Sequence, residues 1–498
     1  MAEKLDRCKF FVVTYTGVIH QRVRANSVRV GRTLTIDDLP DDVLLAIFDF
    51  HEVKCHALVF PGFGGYETKR KIESWQSLVH VCRRWRCLVF GSPRRLNLKL
   101  CCVPGTSAKT SADVWPAFPL VILGGVSESS MDNAIARLEH SDRICQIQID
   151  LNRYTTRIDE LWTAMQVPFP ELVILNLSYG DLSHGPAIPD PFLGGSVQRL
   201  RYLSLRSVSF PGLPKLLLSG AHLVHLSLLH VPHSGYISPD AMATCFPILT
   251  SLESFQLEFG YFQDYPDQQS RHPLPQIRTV LPALTRFWFK GVNQYFEDLV
   301  SRIDAPRLYR MSTTFLNYIA FDTPELRQFI SRTPRFGAYD EARLIFYSRE
   351  ALVRLQSLPE PSDHGMVEVK VVCRVPNRQF SSLAQLCASP LRPLLTMEDL
   401  YIYENPYSPP DWKDDIELDL LRSFKAVKNL YLSKKFARRI APALQGLTGA
   451  RTIEVLPALQ NVLLEKFRPT EPVLEGIAQF ISARQLINQP VAISFWDR

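Results

Sequence analysis

The feature that most restricts how this chain can fold is a six-residue window, apolar at its first, fourth and sixth positions, that keeps returning. "ICQIQI" supplies Ile144, Ile147 and Ile149; "LVILNL" supplies Leu172, Leu175 and Leu177; "LRYLSL" supplies Leu200, Leu203 and Leu205. The series continues through Leu223, Leu226 and Leu228, then Leu252, Phe255 and Leu257, then Leu284, Phe287 and Phe289. Its steps are 28, 28, 23, 29 and 32 residues. "LYRMST" (308–313) is a decayed seventh window. A second group holds Met397, Leu400 and Ile402, then Val427, Leu430 and Leu432, then Ala450, Ile453 and Val455, at steps of 30 and 23. One such hexapeptide is common by chance, whereas ten at this spacing mark a repeat array.

Within each window the last two apolar residues alternate, so they share one side of a short strand. The first lies at the strand entry and packs into the same core. Each unit then returns through a helix or an irregular segment, and stacking of units buries a continuous apolar spine. The pattern resembles irregular leucine-rich repeats, although the Asn expected after each strand is mostly missing. The resemblance implies an α/β solenoid: a curved parallel sheet with helices or irregular segments on the convex side. In such an array the residues between the strand leucines reach the concave face. Here these are Asn176, Ser178, Tyr202, Ser204, Arg206, His225, Ser227, Leu229, Gln256, Glu258, Arg286, Trp288, Lys290, Tyr401, Tyr403, Tyr431 and Glu454. Tyr202, Arg206, His225, Arg286, Trp288, Lys290, Tyr401, Tyr403 and Tyr431 are the expected target contacts, because Tyr, Trp and Arg are the usual interface anchors. Trp288, set between Arg286 and Lys290, is the foremost of them.

The first hundred residues read differently. "LTIDDLPDDVLLAIFDF" (34–50) is a short helix entered through Pro40, where a missing N–H costs nothing, with Asp41 and Asp42 in the first turn to complement the helix dipole. A helix so short needs a surface to rest on. "IESWQSLVHVCRRWRCLVF" (72–90) carries Trp75, Leu78, Val79, Cys82, Trp85 and Val89 at helical spacing, and Gly91 and Pro93 stop it. The motifs "LPDDVLLAIF" and "VCRRWR" in this order resemble the F-box, a three-helix module that docks a Skp-type adaptor. The continuation "SPRRLNLKLCC…VWPAFPLVI" (92–122) resembles the extended F-box of mushroom-forming (basidiomycete) fungal proteins. The departure from that pattern is an inserted loop at about 53–71, glycine-rich and without the Gly-Lys-Ser/Thr of a phosphate loop. The resemblance implies adaptor contacts at Leu39, Pro40, Leu44, Ile47, Phe48, Val81, Cys82 and Trp85. The run Arg83, Arg84, Arg86, Arg94 and Arg95 reads as a solvated face that could also steer an acidic adaptor.

The bulk numbers leave few other functions standing. With 498 residues, 46% apolar and 21% charged, the chain is globular and too long for a single core. A net charge of +6 spread over that length is no nucleic-acid footprint, and no run reaches the ~18 apolar residues of a membrane span. Ten cysteines without a C-x-x-C pair fit reduced thiols in the cytoplasm or nucleus better than a disulfide or zinc scaffold. His222 and His225 lie three apart and so point to opposite faces of a strand, unfit to share an ion; His230 and His233 repeat the spacing. No catalytic motif appears.

The expected organisation is an N-terminal extension (1–33), the F-box region (34–100), a connecting segment (101–143), a leucine-rich-repeat-like solenoid (144–470) and a C-terminal cap (471–498). Strands at "ARLIFY" and "MVEVKVVC" carry the sheet across 315–395, where a break into two halves is left open. The expected function is recruitment of a target protein to a cullin–RING (SCF-type) ubiquitin ligase, without a cofactor and without catalysis by this chain. The alternative is an adaptor-binding scaffold outside any ligase.

Overall fold

The computed structural model describes residues 35–56, 74–92, 96, 98–102, 118–180, 186–260, 278–316, 323–337, 339–356, 365–373, 378–388, 396–407, 418–447, 451–465 and 471–497. The expected N-terminal extension, the inserted loop beyond His56, Arg94 and Arg95 lie outside the described residues. The fold is mixed α/β with one large, mostly parallel sheet. The chain forms two compact units, residues 1–101 with 112–119 and residues 102–111 with 120–498.

Among the described residues the first unit contains three α-helices, α1 (Asp41–His56), α2 (Ser74–Val79) and α3 (Arg83–Gly91). A single helix over 72–90 was expected; the chain instead breaks at Cys82, whose backbone is extended (φ −155°, ψ 171°) and whose Sγ accepts the Trp85 amide at 3.4 Å. Cysteine here acts as an N-cap, a part usually taken by Ser or Asp. The start of the expected loop is also helical, since α1 runs to His56. Leu44, Phe48, Trp75, Leu78, Val79 and Val89 fill the core, and the Trp75 indole donates to the Lys99 carbonyl at 3.1 Å while its ring meets Phe118 edge-on at 5.3 Å.

The second unit is a ladder of strands. In chain order they are β1 (Leu120–Val126), β2 (Ile144–Leu151), β3 (Ile174–Tyr179), β4 (Tyr202–Arg206), β5 (His225–Val231), β6 (Ser254–Phe259), β7 (Arg286–Gly291) and β8 (Arg310–Phe315). They pair in sequence order, every pair parallel. The six intact windows from Ile144 to Phe289 fall on β2 to β7, and the decayed one leads into β8 in the same register. Strand pairing starts ahead of the windows, because β1 and the helix Met131–Leu138 occupy the expected connecting segment. At most strand entries one carbonyl accepts two successive amides: Val173 from Arg201 and Tyr202, Arg201 from Val224 and His225, Val224 from Glu253 and Ser254, Glu253 from Thr285 and Arg286. That backbone device repeats even where the side-chain pattern has decayed. Helices also lock to their successors: both Glu297 carboxylate oxygens accept amides at the start of the next helix, from Glu325 at 2.7 Å and Leu326 at 3.0 Å.

Across 315–395 the sheet is continuous, but its strands are not in sequence order. β9 (Glu341–Phe346), β10 (Glu350–Gln356) and β11 (Met366–Val372) form an antiparallel meander; β11 pairs parallel with β8, and β9 pairs parallel with β12 (Asp399–Glu404). β10 is thus the one strand of this ladder that runs against the others. The ladder closes through β13 (Asn429–Leu432), β14 (Asn461–Glu465) and β15 (Ala492–Trp496), again parallel.

One window is misplaced. Ala450, Ile453 and Val455 were expected on a strand; Ala450 lies outside the described residues, Arg451–Glu454 is helical, and Leu459, Val462 and Leu464 carry the strand instead. Arg484, fully buried, donates to the carbonyls of Thr452, Val455, Leu456, Pro457 and Leu459 at 3.0–3.4 Å. Only a curled backbone brings five carbonyls to one guanidinium, and their dipoles hold a cation that burial would otherwise penalise. Glu454 consequently leaves the sheet face. The segment expected as a cap forms the helix Glu471–Leu486 and β15, the last strand of the sheet. Gly476 of that helix lies against Ala441 of the helix Lys434–Gln445, where an added Cβ would come within 2.8 Å of the Ala441 carbonyl, so the two helices depend on glycine at this crossing. Among the described residues no helix is long and apolar enough to cross a membrane.

Candidate functional site

In the helical unit, the Asp38 carboxylate accepts from the Thr35 amide and hydroxyl, each at 2.8 Å, and sets the turn that leads into Leu39 and Pro40. Arg84 crosses from α3 to the same place, with Nη2 2.6 Å from the Leu39 carbonyl and 2.6 Å from Asp41 Oδ1. The expectation of a purely solvated arginine run fails at this residue: Arg84 ties α3 to the entry of α1. Arg86 likewise donates to the Val79 carbonyl at 2.9 Å.

The eight expected adaptor contacts separate by exposure. Leu44 and Phe48 are corrected: both are 0% exposed and have no surface to offer a partner. Phe48 instead packs its ring 4.7 Å from Trp85. Pro40 is exposed, Val81 is 46% exposed, and Leu39, Ile47, Cys82 and Trp85 are half-buried. Val43, 39% exposed, was missed although its spacing could have found it: Pro40, Val43 and Ile47 lie three and four residues apart on one helical stripe. The alternate stripe, Leu44 and Phe48, is the one that closes the core. The Trp85 indole N–H is buried and has no hydrogen-bond partner among the described residues.

In the ladder, strand register arranges the expected target contacts in rows on the sheet face opposite the buried spine. Tyr202, His225, Ser254, Arg286 and Arg310 follow one another across β4 to β8. The next row along the strands runs Ser204, Ser227, Gln256, Trp288, Ser312, Glu368, Arg354, Arg343, Tyr401 and Tyr431. Tyr202 and His225 lie with ring centroids 5.7 Å apart. Tyr401 and Tyr431 stack at 4.0 Å, Trp496 stands edge-on to both, and the Arg343 guanidinium lies 5.5 Å from the Tyr401 centroid. Tyr403 is half-buried at the exit end of β12. Eight strand spacings, ~40 Å, separate Tyr202 from Tyr401, so the candidates form two patches.

Charge on this face is organised around its carboxylates. Glu258 is buried, with Oε1 2.7 Å from Lys290 Nζ and 3.1 Å from His230 Nδ1; Arg206 Nη2 lies 3.1 Å from His230 Nε2. Burial opposes the ionised form of Glu258, but the hydrogen bonds from His230 and Lys290, with their charge, outweigh it and leave the carboxyl below its usual range. The Glu368 carboxylate takes Arg354 at 2.8 Å and the Ser312 hydroxyl at 3.2 Å, and Glu341 takes Arg343 at 2.7 Å. Asp399 accepts from Asn429, which accepts from Asn461, each at 2.7 Å. The His225 imidazole is held below its usual value, first by burial and then by the charge of Arg286. Burial raises the Tyr202 phenol.

Arg310, Arg343, Arg354 and Glu368 escaped the sequence reading. Arg310 stands in the decayed window, and the other three lie on the meander, whose neighbours no local pattern reveals. His222 precedes β5, His225 lies on its open face, His230 sits at a left-handed position near its end (φ 50°) and His233 opens a short turn. Among the described residues, no three His, Cys, Asp or Glu side chains gather as metal ligands would. No protein-family model matches the chain, and no curated protein matches it.

Proposed function

We propose that this chain recruits a target protein to a cullin–RING (SCF-type) ubiquitin ligase, docking a Skp-type adaptor through its helical unit and holding the target on the open face of its sheet. The observation that carries the first half is the stripe Pro40, Val43 and Ile47, with Val81 and Trp85: apolar side chains left accessible around a core that Leu44 and Phe48 have already closed. Recognition through such a helix face concentrates its energy in a few anchors. The observation that supports the second half is the register that lines up Tyr, Trp and Arg along one sheet face. In this reading the chain supplies proximity rather than chemistry. A held target presents its lysines to an activated ubiquitin at high effective concentration, and no reacting group of this chain takes part.

The test is capture of a purified Skp-type adaptor by the full chain. Wild type should bind, and Ile47→Ala with Val81→Ala should lose roughly 1,000-fold in affinity at unchanged helicity, since each anchor contributes about 2 kcal/mol. Equal capture by the double variant removes the docking assignment. Co-purification of a cullin with the adaptor separates a ligase subunit from a scaffold that stops at the adaptor.

A further inference from the structure

Two arginines on the open face stand out because nothing answers them. Arg286 on β7 and Arg310 on β8 are direct register partners, which puts their α-carbons ~5 Å apart with both side chains on the same face. Both are exposed, and neither side chain makes a hydrogen bond or ion pair among the described residues. Like charges directly opposite one another on neighbouring strands destabilise a sheet. Elsewhere on this face the carboxylates are engaged, Glu258 by Lys290 and His230, Glu368 by Arg354, Glu341 by Arg343. Glu253, the acidic group that acts on neighbouring His225 against Arg286, makes no ion pair among the described residues. The sheet therefore holds an uncompensated pair of guanidiniums in one place only among these rows. Trp288 lies two residues along β7 from Arg286, half-buried on the same face.

We infer that Arg286 and Arg310 form a fork for an anionic side chain of an extended peptide, phosphoserine, phosphothreonine or glutamate, with Trp288 supporting an apolar residue two positions away in that peptide. This rests on the reading of the open face as a target-binding surface and narrows it to a chemical class. A guanidinium fork can hold two oxygens of a carboxylate or phosphate at once, and a charge-assisted bond is roughly twice as strong as a neutral one. Along an extended peptide, residues two apart lie ~7 Å from each other on one side, the same spacing that separates Arg286 from Trp288 on their strand.

The experiment uses the purified full chain and three peptide libraries with random flanks, centred on phosphoserine, on glutamate or on unmodified serine. Wild type should retain the phosphoserine library roughly tenfold or more above the serine one, with glutamate between them. Arg286→Ala with Arg310→Ala should bring all three to the serine level, while Lys215→Ala, an exposed cation on a helix, should change nothing. Trp288→Ala should keep the preference for the anion and lose the preference for an apolar neighbour. Equal retention of all libraries by wild type, no retention of any, or an undiminished preference in the double variant overturns the inference. Displacement by a single-stranded oligonucleotide in preference to the glutamate peptide overturns it too, by reassigning the fork to nucleic acid. If the double variant still captures cellular targets that Tyr401→Ala with Tyr431→Ala loses, the face survives as a binding surface and only the anion assignment falls.

Discussion

Strands β6 to β8 and strands β9 to β11 belong to one sheet and show the same face, yet they handle charge in opposite ways. On the strands of the meander each basic side chain has a carboxylate: Arg343 with Glu341, Arg354 with Glu368, and Lys370 with Glu350 at 3.2 Å. On the parallel strands Glu258 is shared by Lys290 and His230, while Arg286 and Arg310 have no carboxylate among the described residues. The first arrangement is complete within the chain and serves its own stability. The second leaves an electrostatic cost in place, which a visiting anion would relieve. The difference teaches that composition of a face is a poor guide to its function: both regions are rich in arginine, and what separates them is register.

Substitutions should order the two regions by stability. The largest loss is expected at Glu341, whose side chain is 1% exposed: Glu341→Ala strands Arg343 and Gln356 and should cost about 3 kcal/mol in denaturant unfolding. A change below about 0.5 kcal/mol there would remove the meander's claim to be held by its ion pairs. Glu258→Gln comes next, at roughly 1–2 kcal/mol. Because the Glu258 carboxyl is depressed in the folded state, its contribution is fully present above the ordinary glutamate range and is lost as pH falls through and below that range. The wild type should therefore lose stability on acidification more steeply than the variant does. His225 adds to this at a higher pH. Its imidazole is depressed, so the folded state binds fewer protons than the unfolded one, and stability declines as pH drops below about 6.5. Arg286→Gln should move the His225 titration upward, read by imidazole proton resonances; an unmoved titration would break the electrostatic link between them. The smallest effect belongs to Arg286→Gln with Arg310→Gln, within about 0.5 kcal/mol of wild type and, if anything, stabilising. A loss of several kcal/mol would show that these arginines hold the sheet together and are not poised for a ligand.

Much of the ladder was legible from residues alone. Leu172, Leu175 and Leu177 and their counterparts specify a strand because alternation and entry packing are properties of five or six neighbouring residues. The candidate face followed from the same alternation, which is why Tyr202, Arg286 and Trp288 fall where they were expected. The failures share one cause. Leu44 and Val43 are adjacent and both apolar, and which of them seals the core depends on where α2 and α3 approach. Ala450, Ile453 and Val455 satisfy the strand pattern, but buried Arg484, some thirty residues later, recruits the carbonyls around them into a curl.

Residues alone were enough for the existence of most strands, the identity of the apolar spine, and the start of the helix at Asp41. Those depend on interactions within a turn or two of the chain. Tertiary structure decided the order β8–β11–β10–β9–β12, the choice of buried stripe on α1, and the juxtaposition of Arg286 with Arg310. Each of these is a contact between residues far apart in the chain, won by comparing whole arrangements of backbone pairing and side-chain burial, and no local pattern contains that comparison.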